Sequence, residues 1–180
     1  MGYNILGGRL FWVTGLSGAG KTYIGTVFYG KWRKYHPNTV LLDGDVLRQV
    51  FGNDLGYSME DRFACAMRYA RLCKLLTEQG IHVVCCTISM FDQVRDWNRE
   101  NIPKYTEIYI EVPMDILEKR NQKNLYYDVK NGVVKNVVGM DMEYQLPRNP
   151  DIRLVNDGSK SVEELHEELL GQIGFKVMEE

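Results

Sequence analysis

No apolar run in this 180-residue chain approaches the ~20 residues that a membrane-spanning helix needs. The opening stretch, MGYNILGGRL, has neither the basic start nor the long apolar core of a secretion signal, and Leu6 stands where a myristoylation motif needs Ser or Thr. Excess charge is missing as well: the net charge is -2 and the 22 Lys and Arg are scattered, which gives no electrostatic reason to expect nucleic acid as a partner. Cysteine is scarce. Cys65, Cys73, Cys85 and Cys86 form no CxxC pair, and no His stands at metal-ligand spacing to them, so neither a zinc site nor a disulfide framework is indicated. They read as reduced, buried small hydrophobes. Repeats, low-complexity tracts and linkers are absent too, so residues 1–180 are expected to form one domain, soluble and cytoplasmic, with neither a membrane nor nucleic acid as partner.

What is present is an alternation of short apolar runs with longer amphipathic stretches. Leu10 to Thr14, Thr39 to Leu42, Ile81 to Thr87, Thr106 to Val112 and Ile152 to Val155 read as strands, the third apolar almost throughout, as in a strand covered on both faces. Lys21 to Tyr35 and Ser58 to Gln79 read as helices. The second opens on Ser58-x-x-Asp61, close to a capping box, carries Phe63, Ala66, Met67, Ala70 and Cys73 on one stripe, and stops at Gly80. Such alternation predicts an α/β fold, a parallel sheet with helices on both faces, and ligands beyond the carboxyl ends of the strands.

One such end carries Gly15-Leu16-Ser17-Gly18-Ala19-Gly20-Lys21-Thr22, a complete G-x-x-x-x-G-K-[ST] phosphate loop between a predicted strand and a predicted helix. Gly15, Gly18 and Gly20 let the backbone of Ser17 and Ala19 turn its NH groups toward phosphate oxygens, at a helix N-terminus that favours anions. Lys21 is expected to bridge β and γ phosphates and Thr22 to ligate Mg. ATP with Mg2+ is the expected pair, in a three-layer fold of the P-loop NTPase type. The guanine-reading asparagine-lysine-x-aspartate of switch NTPases is not matched by Asn121-Gln122-Lys123-Asn124. A kinase needs more: a pocket facing the γ phosphate, with a base and with cations for a charged acceptor.

LLDGDVLR, residues 41 to 48, supplies candidates. Two aspartates one residue apart raise each other's cost of ionisation unless a cation lies between them. If the end of strand two lies beside the end of strand one, Asp43 and Asp45 face the phosphate loop. One orients Mg-bound water and the other accepts a hydroxyl proton. Arg48, at the start of the next predicted helix, and Arg62 suit an anionic acceptor, because arginine forks match phosphate or sulfate oxygens. Ser89 has two readings, contact with substrate or a cap on the following helix. His36, His82 and His166 have no triad or metal partner in sequence, and Trp12, Trp32 and Trp97 read as packing.

In the order GLSGAGKT, LDGD with a following Arg, DLGYSMEDR (residues 54 to 62), Ile88-Ser89, Leu125-Tyr126, Val134-Lys135-Asn136 and Gly139-Met140-Asp141, the chain resembles adenylylsulfate kinases. The resemblance spans residues 10 to 155. It implies transfer from MgATP to the ribose 3′-hydroxyl of adenylylsulfate by a homodimer, with Asp45 as base, Asp43 reaching the metal through water and Arg48 and Arg62 holding the acceptor. It further implies that Tyr57 stacks on the acceptor base, that Ser89 and Lys135 contact substrate, and that residues 120–142 form a lid.

Departures fall on the acceptor side. Val46 replaces the Asn of DGDNxR, Cys65 replaces the Asn three residues after the EDR arginine, ISMFD replaces ISPYR or ISPFR so that Asp92 stands for a cation, and Tyr127 replaces a lysine. Such changes alter substrate choice where a site is built to hydrogen-bond one acceptor. A relative that fits is the cytidine diphosphoramidate kinase of bacterial capsule pathways, which also resembles adenylylsulfate kinase. The remaining alternative is a non-catalytic, regulatory ATP-binding domain.

Overall fold

The computed structural model describes residues 7–175, and the opening segment read above as lacking a signal lies, up to Leu6, outside them. Five strands form a parallel sheet in the order β2-β3-β1-β4-β5: β1 (Leu10–Thr14), β2 (Thr39–Asp43), β3 (His82–Cys86), β4 (Tyr105–Glu111) and β5 (Ile152–Val155). The predicted strands are all present, shifted by at most a residue at an end. Their order is not the one supposed. β3 lies between β2 and β1, with Cys86 in register with both Asp43 and Val13, so Asp43 reaches the phosphate loop across the end of β3 rather than from a neighbouring strand.

β1 shows why both faces must be covered. Phe11 and Val13 point to one face, packed on Ile24, Phe28 and Trp32 of α1 (Lys21–Tyr35) and on Leu165 and Leu169 of α7 (Val162–Ile173). Leu10 and Trp12 point to the other, against Ala66, Tyr69 and Ala70 of α3 (Met59–Glu78) and Val94 of α4 (Asp92–Asn101). Burial of aromatic and aliphatic side chains of this size contributes ~1.5–3 kcal/mol each. All of these cluster members are under a tenth exposed. The stripe read along α3 faces this second core, as expected.

Local signals set the helix ends. Ser58 Oγ accepts from the Asp61 amide at 3.1 Å at the start of α3, and Gly80, at φ 81°, follows its end. Gly25 in α1 is required by close approach: a Cβ there would lie 2.2 Å from Cys86 Sγ. All four cysteines are buried and unbridged. His82 is structural, accepting the Arg9 amide on Nδ1 at 3.1 Å, and Trp97 packs against the second core.

Candidate active site

Two cavities open at the carboxyl ends of β1, β2 and β3. The first, about 400 Å³, is lined by Ser17, Gly18, Gly20, Lys21 and Thr22 of the phosphate loop and by Asp43 and Asp45. The second, about 430 Å³, is lined by Arg48, Tyr57, Arg62, Cys65, Tyr69 and Ser89 among others. Ser17, Gly44, Asp45, Thr87 and Ile88 line both, so the cavities meet across the D-G-D turn and the end of β3.

The loop has the geometry its glycines imply. Gly20 caps α1 in a left-handed conformation, φ 92°, where a Cβ would lie 2.9 Å from Asn156 Nδ2; a Cβ on Gly15 would lie 2.5 Å from the Ile110 carbonyl oxygen. No side chain caps α1 and its first turn holds no acid, which leaves its N-terminal amides for an anion. Gly15 and Ala19 shape the loop without lining the cavity; the Ala19 carbonyl is held by Asn156 Nδ2 at 2.9 Å. Lys21 Nζ folds back to the Leu16 carbonyl at 2.8 Å. Burial of this ammonium pushes its pKa down to about 8, against the pull of Cys86, Asp45 and Asp43.

Asp43 does two jobs at the end of β2. Its Oδ1 accepts the amides of Asp45 at 2.9 Å and Val46 at 3.3 Å, capping α2 (Gly44–Val50), while Oδ2 accepts the Thr22 hydroxyl at 2.7 Å. The Thr22–Asp43 pair is the donor set that suits Mg2+: hard oxygens, few from protein, the rest left to phosphates and water. No group of three or more His, Cys, Asp or Glu gathers among the described residues to hold a softer metal.

On the other side, Arg48 and Arg62 converge, although Arg48 lies in the last turn of α2, not at a helix start. Their guanidinium carbons stand 4.5 and 5.1 Å from the centre of the Tyr57 ring. Arg48 donates to the carbonyls of Leu55 and Gly56, and Arg62 to those of Tyr57 and Asn136. Burial and then the nearby Arg48 charge depress the Arg62 pKa, so an anion between the two would relieve both costs. Ser89 is buried and its Oγ has no hydrogen-bond partner. It does not cap α4, whose N-cap is Phe91 without a side-chain bond. Lys135 is exposed and lines neither cavity.

Residues 120–142 run over both cavities through α6 (Leu125–Lys130). Tyr126 donates from its hydroxyl to the Ser17 carbonyl at 2.6 Å, Gly139 packs against Leu16, and Arg120, at the end of α5 (Met114–Arg120), donates to the Asn156 carbonyl at 2.9 Å. Of the four departures, Cys65 and the Met90-Phe91 part of ISMFD line the second cavity. Val46 and Tyr127 are more than half exposed and outside it. Asp92 is outside it too, paired with the buried Arg95 and, at 2.6 Å, with Arg148. Asp92 stands where the family has a cation, but its charge is met by Arg95 on α4 and by Arg148 rather than facing the second cavity.

The motif of the family described as adenylylsulphate kinase matches residues 7–155. The chain belongs to the adenylylsulfate kinase family. It is 38% identical over 166 residues to a cytidine diphosphoramidate kinase of Campylobacter jejuni subsp. jejuni serotype O:2, covering 92% of this chain and 96% of the relative. To an adenylyl-sulfate kinase of Clostridium kluyveri it is 35% identical, covering 96% and 86%. Among solved structures, the Mycobacterium tuberculosis APS kinase in complex with AMPPNP and APS superposes with a TM-score of 0.85 at 31% identity, covering 93% of this chain and 98% of that one. As a member of this family the protein is an ATP-dependent kinase, and its P-loop α/β fold is the family's.

The motif reading missed Tyr69, on the wall of the second cavity, and the Arg120–Asn156 pair. Helix spacing held the signal for the first: Arg62, Cys65, Ala66 and Tyr69 fall on successive turns of one face of α3. Nothing local marks Asn156, which comes to the loop from the end of β5.

Proposed function

We propose that the protein moves the γ-phosphoryl group of MgATP to the ribose 3′-hydroxyl of a nucleotide anhydride, with cytidine diphosphoramidate preferred over adenylylsulfate. The observation that carries the transfer is Asp45 on the wall common to both cavities: a base there reaches a hydroxyl on one side and a γ phosphate on the other. The loop amides and the α1 N-terminus hold the phosphates, and Lys21 contacts the β and γ oxygens. Asp45 accepts the 3′-hydroxyl proton, the freed oxygen bonds to the γ phosphorus, and the bond from that phosphorus to the bridging oxygen of ADP breaks. Thr22, directly, and Asp43, through water, would hold Mg2+, which supplies charge neutralisation on the phosphates. Arg48 and Arg62 hold the acceptor's anionic groups; as they turn to it, one leaves the Tyr57 ring and frees a face for the base. Ser89 offers its unpartnered hydroxyl to the acceptor. Residues 120–142 act as the lid, and Lys135 reaches substrate only if that segment rearranges. The same reading makes the enzyme a cytoplasmic homodimer.

Cys65 supports the cytidine compound. Its thiol is engaged with Tyr69 at 2.9 Å, so the amide contacts implied for an adenylylsulfate kinase are missing from this wall. The relative from Campylobacter jejuni agrees with that choice. Adenylylsulfate is the second reading, favoured by the APS-bound structural match. ADP release is measured with each acceptor across a concentration series. A kcat/KM for cytidine diphosphoramidate at least about tenfold above that for adenylylsulfate is expected, the scale of one or two lost contacts. The reverse order refutes the acceptor assignment and leaves the transfer chemistry standing. Absence of ADP with both refutes the transfer reading.

A further inference from the structure

Tyr69 is 3% exposed, yet it lines the second cavity, and its ring stacks on Phe51 with centroids 6.2 Å apart. Its hydroxyl sits between two partners: it donates to the Gly44 carbonyl at 2.9 Å and accepts from the Cys65 thiol at 2.9 Å. With the thiol hydrogen occupying one lone pair, the phenol hydrogen is directed to Gly44. Burial, then the Cys65 bond, pushes the Tyr69 pKa upward, so the phenol keeps this proton at any working pH.

Gly44 separates the two aspartates. On its other side, a Cβ would meet Thr87 Oγ1 at 3.3 Å and the Cys86 carbonyl oxygen at 3.4 Å, so the turn is held between the end of β3 and the Tyr69 hydroxyl. Asp43 is fixed from elsewhere, by Thr22 and by its cap on α2. The Asp45 backbone follows directly on the carbonyl that Tyr69 grips, and its amide is also held by Asp43 Oδ1 at 2.9 Å.

We propose that Tyr69 is a positioning residue for Asp45: through Gly44 it fixes the D-G-D turn against α3, and so sets where the base meets the acceptor hydroxyl. The inference rests on the assignment of Asp45 as base, which its test separates. A misplacement of about 1 Å is enough to cost a large part of the rate at such a site. The fixed element is also the one that carries Arg62 and Cys65, so base and acceptor are referenced to the same helix.

The test is a double-mutant cycle. Tyr69→Phe removes the hydroxyl and keeps the ring. In the parent background it should lower kcat by about tenfold or more while the Kd for ATP changes by less than about twofold. In an Asp45→Asn background it should change the residual rate by less than about twofold, because a residue acting through the base has nothing left to act on. Equal losses in both backgrounds make Tyr69 merely structural and overturn the proposal, as does an unchanged kcat in the parent background. An Asp45→Asn protein with the parental rate overturns the base assignment itself, whatever Tyr69 does. If Tyr69→Phe does not fold, Tyr69→Met, which likewise removes the hydroxyl donated to Gly44, takes its place in the cycle, and loss of kcat confined to the parent background supports the proposal, while an unchanged kcat or an equal loss in both overturns it.

Discussion

Replacing Lys21 by Met should make the nucleotide-free protein more stable while abolishing phosphoryl transfer. Met keeps the length and most of the volume of lysine and drops the charge. The lysine pKa falls from 10.5 to about 8 on burial, and at ~1.4 kcal/mol per unit this is a cost of roughly 3 kcal/mol for holding the ammonium in the fold. Against it stands the charged hydrogen bond to the Leu16 carbonyl, worth about 1.5–3 kcal/mol. The net gain is about 1 kcal/mol. In urea, where the slope for small proteins is about 1–3 kcal/mol per molar, the midpoint should rise by roughly 0.5 M at pH 7 with the slope unchanged. The sign with pH follows from the depressed pKa. The native lysine binds fewer protons than the unfolded one between pH 8 and 10.5, so the parent gains stability as pH rises through that window. The advantage of Met should then vanish and reverse above it. Turnover at saturating ATP should be lost, because the charge on the β and γ oxygens is gone. A variant that unfolds at lower urea than the parent at pH 7 refutes the burial argument; turnover within a few-fold of the parent refutes the phosphate-site assignment.

Gly20→Ala forces a Cβ into a residue at φ 92° and to 2.9 Å from Asn156 Nδ2, so it should cost about 1–2 kcal/mol in urea unfolding and weaken ATP binding in a titration. Asp92→Arg leaves Arg95 buried without this carboxylate and sets a third cation beside Arg95 and Arg148, so stability should fall by about 3–5 kcal/mol. The kcat/KM ratio between the two acceptors should stay within about twofold in that variant, since Asp92 lines neither cavity, and a larger change would return it to the acceptor site.

Strands and helices were legible because their signals are local. The Leu10 to Thr14 run and the stretch from Lys21 to Tyr35 appear in the structure with the bounds read from periodicity, and the phosphate loop lies between them as its motif demands. Strand order has no such local signal. A crossover of the length between β1 and β2 fits β2 beside β1 or one strand away, and no motif separates the two; the close packing of α1 on Cys86 through Gly25 belongs to the second arrangement. Neither of these two small residues lies in a motif.

Acceptor-side charges were the least legible, for a related reason. Asp92 replaces a cation in the family's pattern, and the pattern alone assigns the change to substrate. The structure closes the charge locally: Asp92 begins α4, faces Arg95 one turn on, and takes Arg148 from a loop 56 positions away. Cys65 also replaces a polar family residue, yet stays on the cavity wall and turns its thiol to Tyr69. The two substitutions look alike in the sequence and differ in what they can touch. The acceptor question is thereby moved off a charge reversal and onto a thiol and a phenol on one face of α3, whose second partner is the carbonyl between Asp43 and Asp45. On the proposal that Tyr69 positions Asp45, a change at Cys65 touches both the acceptor wall and the support of the base, which couples specificity to rate.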